Sequence, residues 1–181
     1  GCHNVNLVTP THFVPQILQA LGIARERGFS LPIVYNTSGY ESLETLGLLD
    51  GIVDIYLPDM RYGDNTAAKR FSGAPHYVEA NQAAIREMFR QVGNLVMDKE
   101  GIATRGMIVR HLVLPGGLSG TERVMKFLAE EISKDVYISL MSQYFPAYQS
   151  AEFPEINHRI NEQEYDEAYE IKIKYGLKNG W

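Results

Sequence analysis

The sequence predicts an α/β fold of repeated βα units around a parallel sheet, and three observations carry that expectation. Five short runs rich in Val, Ile, Leu and Tyr alternate with longer amphipathic segments: Val5–Thr9, Pro32–Thr37, Ile52–Pro58, Met107–Leu114 and Val136–Met141. Several of these runs are nearly continuous in apolar residues, the pattern of strands buried on both faces. No Gly/Ser-rich linker interrupts the 181 residues, a length of about one domain, so residues 1–181 are expected to form a single domain. A complete eightfold barrel needs about 250 residues and is out of reach. Periodicity alone leaves an open doubly wound sheet and part of a barrel both standing.

Between the first two runs, Val14, Ile17, Leu18 and Leu21 recur at i, i+3, i+4 and i+7 and put one apolar stripe on a helix ending near Gly28. After the second run, Ser38-Gly39-Tyr40-Glu41 fits a capping box, with a short helix through Leu43 and Leu46 to follow. The connection from the third run to the fourth holds a short helix around Thr66–Phe71 and a longer one through Ile85, Met88, Phe89 and Val92. Gly116-Gly117 and Ser119-Gly120 then make a turn. Val124, Phe127, Leu128 and Ile132 share one face of the next helix, and Asn161-Glu162-Gln163-Glu164 caps a last one through Tyr165, Ala168 and Tyr169.

Composition removes several classes of function. Seventeen Lys and Arg against 22 Asp and Glu give a net charge of −5, which argues against a surface built to neutralise many phosphates. Nucleic acid is therefore not an expected partner. No segment reaches the roughly 20 apolar residues of a membrane span, and no signal peptide opens the chain, so a soluble cytoplasmic protein is expected. Cys2 is the one cysteine and cannot supply the three or four thiolates of a zinc or iron–sulfur site. His3, His12, His76, His111 and His158 show no metal-ligand spacing, so no metal ligand is assigned. Nucleotide-binding glycine motifs and the serine-hydrolase elbow are absent as well.

In either architecture the binding side lies beyond the carboxyl ends of the strands. Those ends read Thr9-Pro10-Thr11-His12, Asn36-Thr37-Ser38-Gly39, Pro58-Asp59-Met60-Arg61, Pro115-Gly116-Gly117 and Ser142-Gln143-Tyr144, and four of the five place polar side chains where an apolar run has just finished. Asp59 and Arg61, two apart, point to the same side of an extended chain; they are either a solvated ion pair or a pair that holds a ligand. Arg110 is a cation inside an apolar run, so it meets a carboxylate such as Asp59, reaches an anionic ligand, or marks an exposed edge. Asn36 offers both donors and acceptors at a strand terminus. Ser38 and Thr11 read as helix caps. His111, on the opposite strand face from Arg110, reads as a packing residue that faces a helix.

The strings His3–Phe13, Leu31–Tyr40 and Asp54–Tyr62, followed by Ile108–Gly116 and Leu140–Tyr144, resemble radical S-adenosylmethionine proteins, and more narrowly the subgroup related to the pyruvate formate-lyase activating enzyme. The resemblance spans nearly the whole chain. It implies a partial (β/α)6 barrel and a loop after the first strand with C-x3-C-x2-C, whose thiolates bind a 4Fe–4S cluster. That cluster chelates S-adenosylmethionine, and reductive cleavage yields a 5′-deoxyadenosyl radical that takes a hydrogen from a glycine of a target enzyme. The cysteine motif is absent from this sequence. The chain is therefore expected to be a piece holding about five βα units, the second to the sixth, with the cluster ligands outside it and no activity on its own. The implied cofactor contacts are Thr9, Thr11, Asn36, Asp59, Arg61, Arg110, Gln143 and Tyr144. Thr9 and Thr11 stand where relatives have a glycine-rich loop, and Arg61 stands where they have lysine, which keeps the charge and changes the geometry.

The implied partners are a glycyl-radical enzyme as substrate and an electron donor such as flavodoxin or ferredoxin, with no nucleic acid and no membrane. A cluster-free α/β domain that binds a small anionic metabolite, or an interaction module, is the competing expectation. An uncovered strand around Val5–Thr9 also leads to an expectation of self-association.

Overall fold

The computed structural model describes residues 1–181. Five strands run parallel: β1 (Val5–Val8), β2 (Ile33–Thr37), β3 (Ile55–Pro58), β5 (Ala103–Leu112) and β6 (Tyr137–Met141). A two-residue β4 (Val96–Met97) pairs antiparallel with the start of β5. The order is β1-β2-β3-β5, and β6 joins the far half of β5. Helices α1 (Val14–Glu26), α2 (Leu43–Leu48), α3 (Asn65–Ser72), α4 (Tyr77–Val92), α5 (Thr121–Phe127) and α6 (Glu162–Lys174) fill the connections. The sheet does not close, and the result is the expected partial (β/α) barrel of five βα units.

Local chemistry sets the helix limits, and two expected caps are corrected. Helix α2 begins at Leu43, where the Ser42 hydroxyl accepts the Thr45 N–H at 3.1 Å. Ser38 is not its cap. Glu41 instead turns inward, is buried, and accepts hydrogen bonds from Thr11 (2.6 Å) and Thr37. Thr11 caps nothing either: it lies inside a single 3-10 turn, Thr11–Phe13, and spends its hydroxyl on Glu41. Asp64 caps α3 by accepting the Ala67 N–H at 2.9 Å. Asn161 and Glu164 cap α6 reciprocally, as the sequence predicts. Helix α5 widens into a π-helical turn over Leu128–Ile132.

Strand alternation sorts the sheet into two unlike faces. On one face Ile33, Tyr35, Tyr56, Met107, Val109, Ile138 and Leu140 are fully buried against Val14 of α1, Leu46 of α2, Ala84, Ile85 and Met88 of α4, Val124 and Phe127 of α5, and Ala168 of α6. This is the main core. The other face is concave and carries Asn6, Val8, Asn36, Leu57, Ile108, Arg110, Tyr137 and Met141, exposed or half-buried, together with the buried Val34, Ile55, Asp59 and Ser139. Strands β2, β3 and β6 are buried at most positions on both faces, as the sequence predicts, whereas the edge strand β1 is not. Val8 is 66% exposed, and along β1 the burial alternates residue by residue, as in a strand with one covered side.

The two edges also differ. Strand β1 pairs with β2 alone. Along β6 the segment Asn179–Trp181 runs as a further extended stretch, with Leu140 N–H donating to the Trp181 carbonyl at 2.7 Å and Trp181 N–H donating to the Ile138 carbonyl at 3.1 Å. Gly180 permits this approach, since at its φ of 102° a Cβ would strike the Ile138 backbone.

Candidate functional site

Strand β3 ends at Pro58, and the next residue, Asp59, pairs across to Arg110 of β5 on the concave face. The Asp59 carboxylate is the centre of the site. Its Oδ1 accepts from Arg110 Nε at 2.8 Å and lies 2.6 Å from Nη2, while its Oδ2 accepts from Arg61 Nε at 3.0 Å and Nη2 at 2.8 Å. Three N–H groups thus donate to one carboxylate, and a fourth nitrogen, Arg110 Nη2, makes a close ionic contact with it. Burial works to lower the pKa of Arg61, but the charge and hydrogen bonds of Asp59 outweigh it and raise the value above normal.

The charge of the group follows directly. Two guanidiniums and one carboxylate leave one net positive charge, and the side chains of Arg61 and Arg110 stay 49% and 29% exposed. Guanidinium N–H groups not bonded to Asp59 therefore remain accessible. Such a group can take an anion, above all a carboxylate.

Backbone contacts hold the carboxylate in place from behind. Asn81 of α4 is fully buried and donates to both the Asp59 carbonyl (2.9 Å) and the Gly39 carbonyl (3.0 Å). Gly39 has φ 73°, and a Cβ there would collide with the Asp59 carbonyl and the Asn81 amide. The Tyr77 hydroxyl accepts the Arg61 N–H at 2.9 Å, and burial raises its pKa. On the far face His111 sits beside the Met60 carbonyl, 2.6 Å from Nδ1, with the Thr121 hydroxyl 3.0 Å from Nε2. Burial pulls its pKa down to about 4, so the ring is neutral; the carbonyl can only accept, hence Nδ1 donates to it and Nε2 accepts from Thr121.

The structure brings some predicted residues together and separates others. Asp59, Arg61 and Arg110 form one group, and Arg110 meets Asp59 as the first of its three alternatives. Asn36, in register with Leu57, lies on the same face one level below the clamp. Thr9 is exposed at φ 52°, and Thr11 is committed to Glu41. Gln143 is exposed past the end of β6. The Tyr144 hydroxyl donates to the Ile156 carbonyl at 2.7 Å, and its ring packs with Tyr62 and Leu114 in a second apolar cluster. None of these last four contacts the clamp. Two residues escaped sequence reading: Ser139, which the register sets beside Arg110, and Asn81, which sits four residues before Ile85 on the buried stripe of α4.

No group of three or more His, Cys, Asp or Glu side chains is placed to hold a metal ion. Cys2 is exposed and unpaired. The residues of this chain therefore do not fit an iron–sulfur cluster, whereas the clamp fits the carboxylate of an amino-acid ligand. No helix is long and apolar enough to cross a membrane.

Comparison with known proteins agrees with the topology. No family model matches the chain. An uncharacterized protein of Methanocaldococcus jannaschii is 32% identical over 177 residues, 96% of this chain and 47% of that protein, so the chain spans about half the length of the curated relative it matches. Among solved structures, a domain of pyruvate-formate lyase-activating enzyme from Bacteroides vulgatus superimposes with a TM-score of 0.69 at 16% identity, covering 99% of this chain and 98% of that one. A radical SAM methyltransferase from Sphaerobacter thermophilus superimposes with a TM-score of 0.50 at 14% identity, covering 96% and 57%. The open parallel sheet with its helices on one side is thus a radical SAM-related fold.

Proposed function

We propose that this chain supplies the S-adenosylmethionine-holding part of a radical S-adenosylmethionine enzyme of the glycyl-radical-activating type. The observation that carries the reading is the Asp59 clamp, which stands at the carboxyl ends of the strands, on the open face, with one net positive charge. Arg61 and Arg110 take the carboxylate of the methionyl group through their outward N–H groups. Asp59, buried and bonded to both guanidiniums, acts as the positioning residue for the two arginines. Asn36, one level below, offers donor and acceptor to the polar rim of the nucleoside.

In this reading the thiolates that bind a cluster come from polypeptide outside these residues, and the isolated chain has no turnover. Such a cluster, held elsewhere, would supply the electron for reductive cleavage of S-adenosylmethionine. The contribution of this chain is orientation and charge.

Calorimetric titration of S-adenosylmethionine into the chain tests the binding half. Measurable binding is expected, and Arg110→Met should weaken it about tenfold or more, the loss of one charge-assisted hydrogen-bond pair. The chemical half is tested on the longer parent protein, reconstituted with iron and sulfide and reduced, by formation of 5′-deoxyadenosine. Binding of simple carboxylates with no 5′-deoxyadenosine from the parent would instead support a cluster-free domain for small anions, a second reading favoured by the positive clamp and by the missing cluster ligands.

A further inference from the structure

A second cavity lies at the carboxyl end of the sheet, between α3 and the segment that follows β6. Its volume is about 660 Å³, within the 300–1,000 Å³ usual for small-molecule sites. Six aromatic rings line it: Tyr62, Phe71, Tyr144, Phe145, Tyr148 and Phe153. The walls are fixed by their own contacts. The Tyr62 hydroxyl pairs with Ser72 at 2.8 Å, Tyr144 with the Ile156 carbonyl, and Phe71 meets Phe153 edge to face at 5.5 Å. With their polar atoms tied back into the wall, these rings offer the cavity apolar surface.

The rim is unlike the wall. Phe145 is 62% exposed and Tyr148 is 91% exposed, and Tyr148 is held at φ 54°, a conformation that disfavours a bulky side chain. Cations surround these rings. Arg70 pairs with Glu155 and stacks on Phe71 and Phe153, and Arg159 lies 5.1 Å from the Phe145 centroid. Lys69 also lines the cavity, and its ammonium has no salt-bridge or hydrogen-bond partner. The charged residues that line the groove are Lys69 and Arg70, and with Arg70 paired to Glu155 the lysine leaves it positive.

We propose that this groove is a binding site for a small planar aromatic carboxylate, with the ring stacked against Tyr148 and Phe145 and the acid group at Lys69. The site is separate from the Asp59 clamp, and it does not depend on the radical reading. Such a ligand matches both halves of the lining, flat and apolar against the rings and anionic at the lysine.

Calorimetric titration with indole-3-acetate and with the neutral indole-3-acetamide tests it, because the two probes differ in charge and hardly in shape. The acid should bind about fivefold more tightly than the amide, the worth of one exposed ion pair, and Lys69→Glu should abolish or reverse that preference. Tyr148→Ala should weaken both probes about tenfold while Tyr148→Phe retains them, since the ring supplies the stacking surface. Arg110→Met should leave both affinities unchanged. Loss of indole-3-acetate binding in Arg110→Met would assign the acid to the clamp and overturn the proposal while leaving the S-adenosylmethionine reading intact. Equal affinities for the two probes, indifference to Lys69→Glu and Tyr148→Ala, or no binding at millimolar concentration would each overturn it as well.

Discussion

The two faces of the same sheet do different work, although their residues alternate along the same strands. The helix-covered face places Tyr35, Tyr56, Met107 and Val109 in a dry, fully buried core. The concave face, one residue out of step, carries Asn36, Leu57, Asp59, Ile108 and Arg110, and there the Asp59 carboxylate pairs with Arg61 and Arg110. A shift of one residue thus separates the packed core from the charged face. Neighbouring residues should therefore respond very differently to substitution.

The largest contrast is expected at Met107 and Ile108. Met107→Ala empties a packed site and should cost about 3 kcal/mol, within the usual 2–5 for such truncations. Ile108→Ala opens no cavity on the concave side and should cost about 1 kcal/mol. Urea denaturation of the two variants measures both, and equal losses would break the distinction between the faces.

Next in size is the pH response of the covered face. The unfolded chain protonates His111 below its ordinary pKa of 6.5, whereas the folded chain resists until about 4. Stability should therefore fall as pH drops through that window, by up to about 3 kcal/mol. Denaturation midpoints from pH 7 to 4 should show this slope in the native sequence and a shallower one in His111→Gln.

On the concave face, Asp59→Asn leaves two guanidiniums side by side. Because Arg61 and Arg110 can both turn to solvent, about 2 kcal/mol of stability should be lost, less than the 3–5 of a fully enclosed pair. Binding of S-adenosylmethionine should fall with it, as the arginines lose their orientation. The smallest stability effect is expected at Asn36→Leu, within about 0.5 kcal/mol of the native chain, with affinity for S-adenosylmethionine down about fivefold for one lost hydrogen bond. A large stability loss there would mean that Asn36 belongs to the packing.

The parts of the fold legible in the sequence were those with local periodicity. The five parallel strands announce themselves as apolar runs, and α1, α4 and α6 as stripes or caps. His111 was readable as a residue of the covered face because it is adjacent in sequence to Arg110. Strand β4 left no trace, since two exposed residues carry no pattern. The cap of α2 was misplaced because Ser38 and Ser42 both precede plausible helix starts, and only the burial of Glu41 decides between them.

The site was legible where charge was out of place, as with Arg110 inside an apolar run. It was not legible where function depends on register. Ser139 becomes a neighbour of Arg110 only when β6 slides along the far half of β5. Asn81 looks like the solvated side of a helix until its stripe with Ile85, Met88 and Val92 is drawn. Its amide then proves to hold two loop carbonyls from a distance of 42 and 22 residues along the chain.

The stagger of that last strand pair shapes the whole molecule. Strand β1 stops at the level of Asn36, while β5 and β6 continue to Leu112 and Met141, four residues beyond Ile108 and so about 13 Å farther along the strands. The mouth is accordingly a ramp, with a low sill at β1 and a tall back wall at β6. In the proposed reading, a bound anion would pass over the sill and meet the paired arginines partway up the slope.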